Sequence, residues 1–360
     1  MSHYTTHENM FNKIIRSRAP VRISFAGGGT DLSPFTELHG GAVINTTINK
    51  YVYGTLIPKK DKSIKIISTD YKQTFTFSDI NDINYDGDLD LIKAVIKLMK
   101  PEFGFELFLR SDIPPNTGLG SSASAAVAMI GLFNHLREKN KLNNYEIAEL
   151  AFKIEEEELK NKGGRQDQYA AVFGGFNHME FLGKNHVRVL PVHIPKSSLL
   201  ELEKHLVLVF AGKRPRSGVI QEMLTKEQEA HKETEKINAL LAIKQSVQEM
   251  YQALIAGKLD DFGKFLAKGW EEKKKLTPAA TTQIIDELHH IGISAGALGA
   301  KITGAGGGGC MMFYCKSNTE QIVAKKLEEA GAKIVDFSFE TLGLQTWELD
   351  RDNREITQHG

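Results

Sequence analysis

The chain has 360 residues, of which 45 are Lys or Arg and 45 are Asp or Glu, so its formal net charge is zero. This length exceeds that of most single hydrophobic cores, and we predict two domains, 1–190 and 191–360. A balanced charge gives no overall attraction to nucleic acid or to an acidic membrane surface, so we expect neither as a partner. No stretch approaches the roughly 18 apolar residues of a membrane span and the N-terminus lacks an apolar signal core, so the cytosol is the expected location.

The first half of the chain mixes predicted strands with predicted helices. Residues 14–77 are rich in Val, Ile, Thr, Tyr and Phe with partial two-residue alternation, which predicts mostly strands. The spacing of apolar residues predicts a helix over 88–99, and 105–113 is typical of a strand. Two further helices are predicted over about 121–137 and 144–159.

The pattern changes after a polar stretch at 183–200, which two prolines interrupt and which we interpret as the domain junction. The elements predicted beyond it are a strand over 205–212, helices near 218–256 and 259–274, a helix that begins close to Pro278, a helix over 318–330 and a strand over 332–340. Strands and helices mix in both halves without regular βαβ alternation, so we predict the α+β class.

The two cysteines, Cys310 and Cys315, fall five positions apart in an apolar run that is typical of a strand. At this spacing their side chains would lie on opposite faces of the strand, roughly 17 Å apart along it. That separation is too large for a disulfide bond, so we predict neither a disulfide nor a metal site from these residues.

The segment "PPNTGLGSSAS" (114–124) has the features of an anion-binding loop. Its two prolines stiffen the exit from a strand, while Gly118 and Gly120 allow the backbone to approach a ligand closely. A helix begins directly afterwards, and the free N–H groups of its first turn point back into the loop. Such an arrangement suits a triphosphate, and a hydroxyl such as that of Ser122 can also reach Mg²⁺. For this loop alone, an N-cap serine with glycines that only turn the chain stays an alternative.

The segments "GLGSSA" and "GAGGGG" both match glycine patterns of dinucleotide-binding folds, but the context of each differs from those folds. No second parallel strand with a terminal acidic residue follows the first segment at about 20 positions, and the second segment runs into a strand. Neither contains the Lys and Ser/Thr of a P-loop. The sequence therefore disfavours both of these nucleotide-binding folds.

Two further glycine-rich segments allow more than one interpretation. In "ITGAGGGGC" (302–310), the run of residues without Cβ indicates that something bulky lies against the backbone, with a β-bulge or a tight hairpin as the alternative. In "GGRQDQ" (163–168), Asp167 follows a glycine turn, and taken alone it is better interpreted as a helix N-cap.

Taken together, three of these segments resemble a known family. In their order and separation, "APVRISFAGGGTD" (19–31), "PPNTGLGSSAS" (114–124) and "KITGAGGGGC" (301–310) resemble the three motifs of the GHMP small-molecule kinases. The segment "GGRQDQYAAVFGG" (163–175) adds to this resemblance, which spans nearly the whole chain. It implies an N-terminal domain like the second domain of ribosomal protein S5 and a ferredoxin-like C-terminal domain, with ATP and the acceptor bound between them.

The resemblance also implies roles for individual residues. Asp167 would accept or orient the proton of the acceptor hydroxyl, and Arg22 would neutralise charge on the transferring phosphoryl group. Mg²⁺ would be held by Ser122 and one carboxylate, for which the helical phase leaves Glu155 and Glu157 as candidates. The residues expected to bind ATP are Pro115, Asn116, Thr117, Gly118, Leu119, Gly120, Ser121, Ser122 and Ala123. The residues expected to contact the acceptor are Gly28, Gly29, Thr30 and Asp31 of the first motif and Gly304, Ala305, Gly306 and Gly307 of the third.

Within the family, the first motif and the segment 163–177 resemble the sugar-1-kinases that act on heptose 7-phosphate, with fucokinase-type enzymes next. Galactokinases carry a Glu-His pair where this chain has Gly28 and Gly29, which counts against galactose. The resemblance implies that a monomer or homodimer uses ATP and Mg²⁺ to phosphorylate the anomeric hydroxyl of heptose 7-phosphate, for the synthesis of a nucleotide-activated heptose. A fucokinase-like enzyme and a non-catalytic relative that senses sugar and ATP stay alternatives.

A phosphorylated sugar would need cations for its distal phosphate. The segment "FAGKRPRSG" (210–218) supplies Lys213, Arg214 and Arg216 just after a predicted strand, where charge and free N–H groups could converge. A solvated basic turn is the alternative interpretation of this cluster.

Overall fold

A computed structural model of the protein describes Tyr4, residues 8–212 and residues 233–351. Within these residues the strands form a nine-stranded sheet and a four-stranded sheet. The strands are β1 (Lys13–Ala26), β2 (Gly41–Lys59), β3 (Ile64–Ser68), β4 (Gln73–Phe77), β5 (Gly104–Ser111), β6 (Phe176–Leu182), β7 (His186–Pro191), β8 (Leu206–Phe210), β9 (Ala297–Ile302), β10 (Cys310–Cys315), β11 (Lys333–Ile334), β12 (Phe339–Glu340) and β13 (Gln345–Asp350).

Helices cover the sheets, and two of the described α-helices begin at a side chain that caps their first turn, Asn143 or Thr282. The helix after Asn143 begins with a capping box, in which Asn143 and Glu146 accept each other's backbone N–H groups. The α-helices are α1 (Phe35–His39), α2 (Asp90–Met99), α3 (Ser121–His135), α4 (Asn144–Lys153), α5 (Gln166–Phe173), α6 (Lys196–His205), α7 (Glu233–Ile255), α8 (Leu259–Leu276), α9 (Gln283–Ala295) and α10 (Glu320–Glu329). A π-helical turn, Ile154–Glu158, continues α4, so the predicted helix over 144–159 changes its type in the last turn.

The first sheet is built around β2, which is 19 residues long and pairs with four other strands. The strand order is β13-β1-β2-β5-β3-β4, with β6 and β12 also paired to β2 and β7 paired to β6. Only β3 and β5 run parallel. Helices α2 to α5 pack on one face of this sheet, and the small side chains of α3 allow that helix to be buried on nearly all sides.

The second sheet is antiparallel, in the order β11-β8-β10-β9, and carries apolar side chains on both faces. The side chains of β10 alternate between two cores, one of which contains Met312 and the other Phe313. Cys310 and Cys315 lie in different cores on opposite faces of β10, as the strand spacing predicts. The core of Met312 also contains Ile23 of β1, so this shared core joins the second sheet to the first.

The last described strands return to the first sheet, which the sequence did not indicate. β13 pairs with the outer edge of β1 from Lys13–Asp350 to Arg18–Gln345, and β12 pairs with β2. The stretch 183–200, which lacks clear periodicity, contains β7 and the first half of α6. The predicted strand over 332–340 is divided into β11, in the second sheet, and β12, in the first. The α+β class is confirmed, whereas the domain division at 190/191 stays a prediction.

Among the described residues, no helix combines the length and the apolar character that crossing a membrane would require.

Candidate active site

A cleft of about 680 Å³ is lined by both halves of the described chain. This volume lies within the range of small-molecule sites. All three glycine-rich motifs and the segment 163–168 contribute to its walls, so residues that are up to about 280 positions apart meet in one cavity. The fold therefore brings together the segments that the sequence singled out.

The loop 114–120 leads into α3 with two glycines in the left-handed region, Gly118 at φ 80° and Gly120 at φ 77°. Helix α3 begins at Ser121, directly after Gly120, so the free N–H groups of its first turn face the loop. The predicted ATP-binding residues that line the cleft are Pro115, Asn116, Gly118, Gly120, Ser121, Ser122 and Ala123. Thr117 and Leu119 point away from the cleft and are buried, so their contribution is to hold the loop in place.

Arg22 and Asp167 form an ion pair in the cleft. The Nε and Nη2 atoms of Arg22 each donate a 2.7 Å hydrogen bond to a different carboxylate oxygen of Asp167. The third guanidinium nitrogen, Nη1, donates to the Gly118 carbonyl at 2.6 Å. The Arg22 side chain is 4% exposed and that of Asp167 is 26% exposed. The carboxylate is therefore held in a fixed orientation beside the phosphate loop while it remains open to the cleft.

A second carboxylate lies at the start of α3. The Ser122 hydroxyl donates to Glu155 Oε1 at 2.6 Å, and Gln168 Nε2 donates to the other carboxylate oxygen at 2.6 Å. Burial raises the pKa of Glu155 above its ordinary value, and the charge of Asp167 acts in the same direction. Glu157 is exposed and lies outside the cleft lining, so of the two predicted candidates only Glu155 is placed beside Ser122.

The first motif also borders the cleft, through part of its segment 27–31. Gly28, Gly29 and Asp31 border the cleft, and Asp31 accepts backbone hydrogen bonds from Gly29 at 3.1 Å and from Gln166 at 3.3 Å. Burial raises the pKa of Asp31, and the nearby Asp167 carboxylate raises it further. The Asp167 carboxylate therefore lies close enough to Asp31 to act on it electrostatically.

Thr30, for which the resemblance implies contact with the acceptor, has its side chain turned towards the backbone. Its hydroxyl is fully buried, donates to the Gly27 or Ala42 carbonyl at 2.8 Å, and accepts from the Ala42 N–H at 3.1 Å. Through these hydrogen bonds the Thr30 hydroxyl fixes the loop to β2, and its O–H is donated to the backbone.

The residues of the third motif likewise fall into two groups, one that lines the cleft and one that contacts the protein backbone. Gly304 and Ala305 line the cleft, whereas Gly306 and Gly307 pack against Ala280. A Cβ on Gly306 would come within 2.7 Å of the Ala280 carbonyl oxygen, and the Gly307 N–H donates to that oxygen at 2.9 Å. These two predicted contacts are therefore with the protein itself.

Two lysines of the cleft were missed by the sequence analysis. Lys273, on α8, and Lys301, on β9, both line the cleft, and they are only 7% and 4% exposed. Lys273 stands in the run "EEKKKL" (271–276), which is typical of a solvated helix face, so only the tertiary structure distinguishes it from its neighbours. The predicted cations Lys213, Arg214 and Arg216 lie outside the described residues.

Two family models match the chain: the GHMP kinases N-terminal domain over residues 90–175 and the GHMP kinases C-terminal model over residues 250–333. A relative from Campylobacter jejuni, D-glycero-alpha-D-manno-heptose 7-phosphate kinase, is 33% identical over 94% of this chain and 100% of its own length. The chain therefore belongs to the GHMP kinases, which transfer phosphate from ATP. This confirms the family and the two-domain fold that the sequence predicts.

Relatives with different acceptors match almost as much of the chain. The solved structure of a D-glycero-D-manno-heptose 1-phosphate kinase from Bacteroides thetaiotaomicron has a TM-score of 0.78 at 32% identity, covering 93% of this chain and 99% of that one. Mevalonate kinase from Thermococcus onnurineus is 32% identical over 86% of this chain and 91% of its own length. Family membership thus identifies ATP as the donor and phosphoryl transfer as the reaction, but it does not identify the acceptor.

Proposed function

We propose that this chain phosphorylates the anomeric 1-hydroxyl of D-glycero-D-manno-heptose 7-phosphate with ATP to give the 1,7-bisphosphate. The observation that carries the proposal is the Arg22–Asp167 pair, which lies beside a phosphate-binding loop in a cleft large enough for both substrates. The two heptose kinases among the relatives support the choice of a heptose phosphate as the acceptor.

In the proposed reaction the anomeric oxygen attacks the γ-phosphorus of ATP, the bond between that phosphorus and the bridging oxygen breaks, and ADP leaves. Asp167 accepts the proton of the hydroxyl, because its carboxylate is open to the cleft and held by two hydrogen bonds. Arg22 stabilises negative charge on the transferring group. The N–H groups at the start of α3 bind the phosphates of ATP and keep donor and acceptor in line.

Mg²⁺ fits the oxygen pair of Ser122 and Glu155. Magnesium prefers hard oxygen ligands and usually takes only one or two from the protein, the remainder being water and substrate phosphate. Burial raises the pKa of Glu155, and a bound cation would favour its ionised form. The ion would neutralise charge on the phosphates of ATP.

The experiment that tests this proposal is a screen of acceptors with ATP and Mg²⁺. We expect ADP release with heptose 7-phosphate to exceed that with free heptose, fucose or mevalonate, and NMR to locate the new phosphate at C1. A higher kcat/KM with fucose would favour the fucokinase-like alternative. Binding without turnover of any acceptor would favour the sensor alternative. The oligomeric state, monomer or homodimer, stays a prediction that light scattering can measure.

A further inference from the structure

The wall that the second half of the chain contributes to the cleft is positively charged at its base. Lys301, on β9, is buried, and its Nζ donates a 2.9 Å hydrogen bond to the Phe25 carbonyl. Burial lowers the pKa of Lys301 well below its ordinary value, and the charges of Lys273 and Arg22 lower it further. The charged groups that act on this ammonium are therefore cations.

Lys273 reaches the same region from α8. Its ammonium donates to the Gly304 carbonyl, in the part of the third motif that borders the cleft. Lys301 bonds to a neutral carbonyl oxygen, and the charges of Lys273 and Arg22 act against its own charge, so this repulsion raises the free energy of the empty site. A dianion between them would offset that repulsion.

The position of the lysines favours the acceptor side of the cleft. Lys301 bonds to Phe25, which lies two residues before the glycine turn of the first motif. That turn leads to Asp31, which the resemblance assigns to the acceptor. The triphosphate of ATP is expected to take its binding groups from the loop 115–123, at the start of α3. An acceptor without charge would gain little from two buried ammonium groups, whereas a phosphorylated acceptor would gain a charge-assisted hydrogen bond from each.

We propose that Lys273 and Lys301 form a phosphate-binding subsite, and that this subsite receives the phosphate that the sugar already carries. The inference rests on the function proposed above. Within the described residues it gives the distal phosphate a binding site that does not depend on the cluster at 213–216. A phosphate dianion could also come from ATP, so the test must separate the two sources.

The test compares Lys273→Met and Lys301→Met with the wild-type protein for three substrates: heptose 7-phosphate, free heptose and ATP. We expect KM for heptose 7-phosphate to rise 10-fold or more, because each variant loses a charge-assisted hydrogen bond. KM for ATP and kcat/KM for free heptose should change less than about 3-fold. Lys275→Met is the matched control, since Lys275 lies on the same helix, is 64% exposed and pairs with Glu272.

Lys273→Arg separates charge from shape. If Lys273 binds phosphate, this variant should keep most of the preference for heptose 7-phosphate over free heptose, whereas a residue that only ties α8 to Gly304 would affect all three substrates alike. A raised KM for ATP with both sugars equally affected would assign the lysines to the nucleotide and overturn the proposal. Unchanged constants in both Met variants would also overturn it.

A binding measurement tests the subsite without relying on turnover. With the nucleotide site filled by a non-hydrolysable ATP analogue, inorganic phosphate should raise the melting temperature of the wild-type protein and have a much smaller effect on Lys301→Met. No rise in the wild-type protein would refute the subsite, even if a Met variant fails to fold. If wild-type protein binds phosphate in this way but does not phosphorylate heptose 7-phosphate, the proposed function fails and the subsite stands.

Discussion

The two glycine-rich loops of the cleft have similar compositions and different structural roles. In the loop 114–120, Gly118 and Gly120 turn the chain so that the first turn of α3 faces the cavity. In the loop 303–309, Gly306 and Gly309 lie against neighbouring backbone, and a Cβ on Gly309 would come within 2.5 Å of the Thr117 carbonyl oxygen. One loop therefore presents N–H groups to a ligand, while much of the other fastens the two halves of the protein together.

The charged groups beside the two loops also differ. Carboxylates stand beside the first loop, where Asp167 pairs with Arg22 and Glu155 accepts from Ser122. Ammonium groups stand beside the second loop, where Lys273 bonds to Gly304. The first loop therefore stands beside the carboxylates proposed to act in phosphoryl transfer, whereas the second stands beside buried ammonium groups and joins the two halves of the protein.

The largest expected effect follows from Asp167→Asn, which removes the base beside the first loop. We expect kcat to fall by about 10²–10⁴-fold, because Asn cannot accept the proton of the hydroxyl. Chemical unfolding should be measured in parallel, since Arg22 is buried and loses a charged partner. Asp261→Asn on α8, which breaks only a surface pair with Lys264, is the control. A near-normal kcat would remove Asp167 from the mechanism.

The next largest effect tests whether Glu155 is the carboxylate that binds Mg²⁺. Glu155→Gln should raise the Mg²⁺ concentration for half-maximal activity by about 10–100-fold, because the amide is a weaker ligand for a hard cation. Glu157→Gln is a matched control two residues along the chain, where the side chain is exposed and outside the cleft lining. An equal response of the two variants to Mg²⁺ would argue against Glu155 as the ligand.

The two loops can be compared directly through Gly309→Ala and Gly120→Ala. Both positions have positive φ, so each substitution should lower the free energy of unfolding by about 1–3 kcal/mol. The added methyl at 309 meets backbone, whereas at 120 it meets the Asp167 carboxylate at 3.2 Å. We therefore expect Gly120→Ala to lower kcat more than its loss of stability explains, and Gly309→Ala to affect mainly stability. Urea unfolding and steady-state kinetics on both variants measure this difference, and identical profiles would contradict it.

The smallest effect concerns the dependence of stability on pH. The pKa of Lys301 lies well below 10.5, its ordinary value, in the folded protein. At any pH between the lowered pKa and 10.5, the unfolded chain therefore binds more protons than the folded one. The contribution of Lys301 to the free energy of unfolding therefore rises with pH in this window and is lost as pH falls through the lowered pKa. Lys301→Met should remove that rise, which unfolding of both proteins at several pH values below 10.5 can measure. Parallel curves for the two proteins would show that Lys301 keeps an ordinary pKa.

Much of the fold was predictable because local signals and tertiary structure agree. Helix α2 (90–99) lies within the predicted 88–99, and α3 (121–135) within 121–137, since strong apolar periodicity and the glycine turn act locally. The strand β13 was missed because its side chains are half-buried or exposed: Trp347 and Leu349 alternate with polar residues in "QTWELD", but two apolar residues in six positions are a weak signal for a strand. Only the open edge of β1 gives that segment its structure.

The site was predictable to the extent that its residues stand in recognisable motifs. Asp167 and Arg22 belong to such segments, and the structure places them in contact. Thr30 stands in a motif as well, but a hydroxyl can turn to the backbone or to a ligand, and sequence does not distinguish the two. Lys273 is the first of three consecutive lysines in the helix, and only burial sets it apart from Lys274 and Lys275.

The pairing of β13 with β1 has a consequence for how the protein is made. Lys13 leaves the ribosome long before its partners Glu348 and Asp350, which lie far later in the chain. Throughout synthesis the outer edge of β1 has no strand beside it, and an open edge can pair with another chain. Nascent chains on neighbouring ribosomes are therefore exposed to mispairing along residues 13–18 until β13 arrives to cover them.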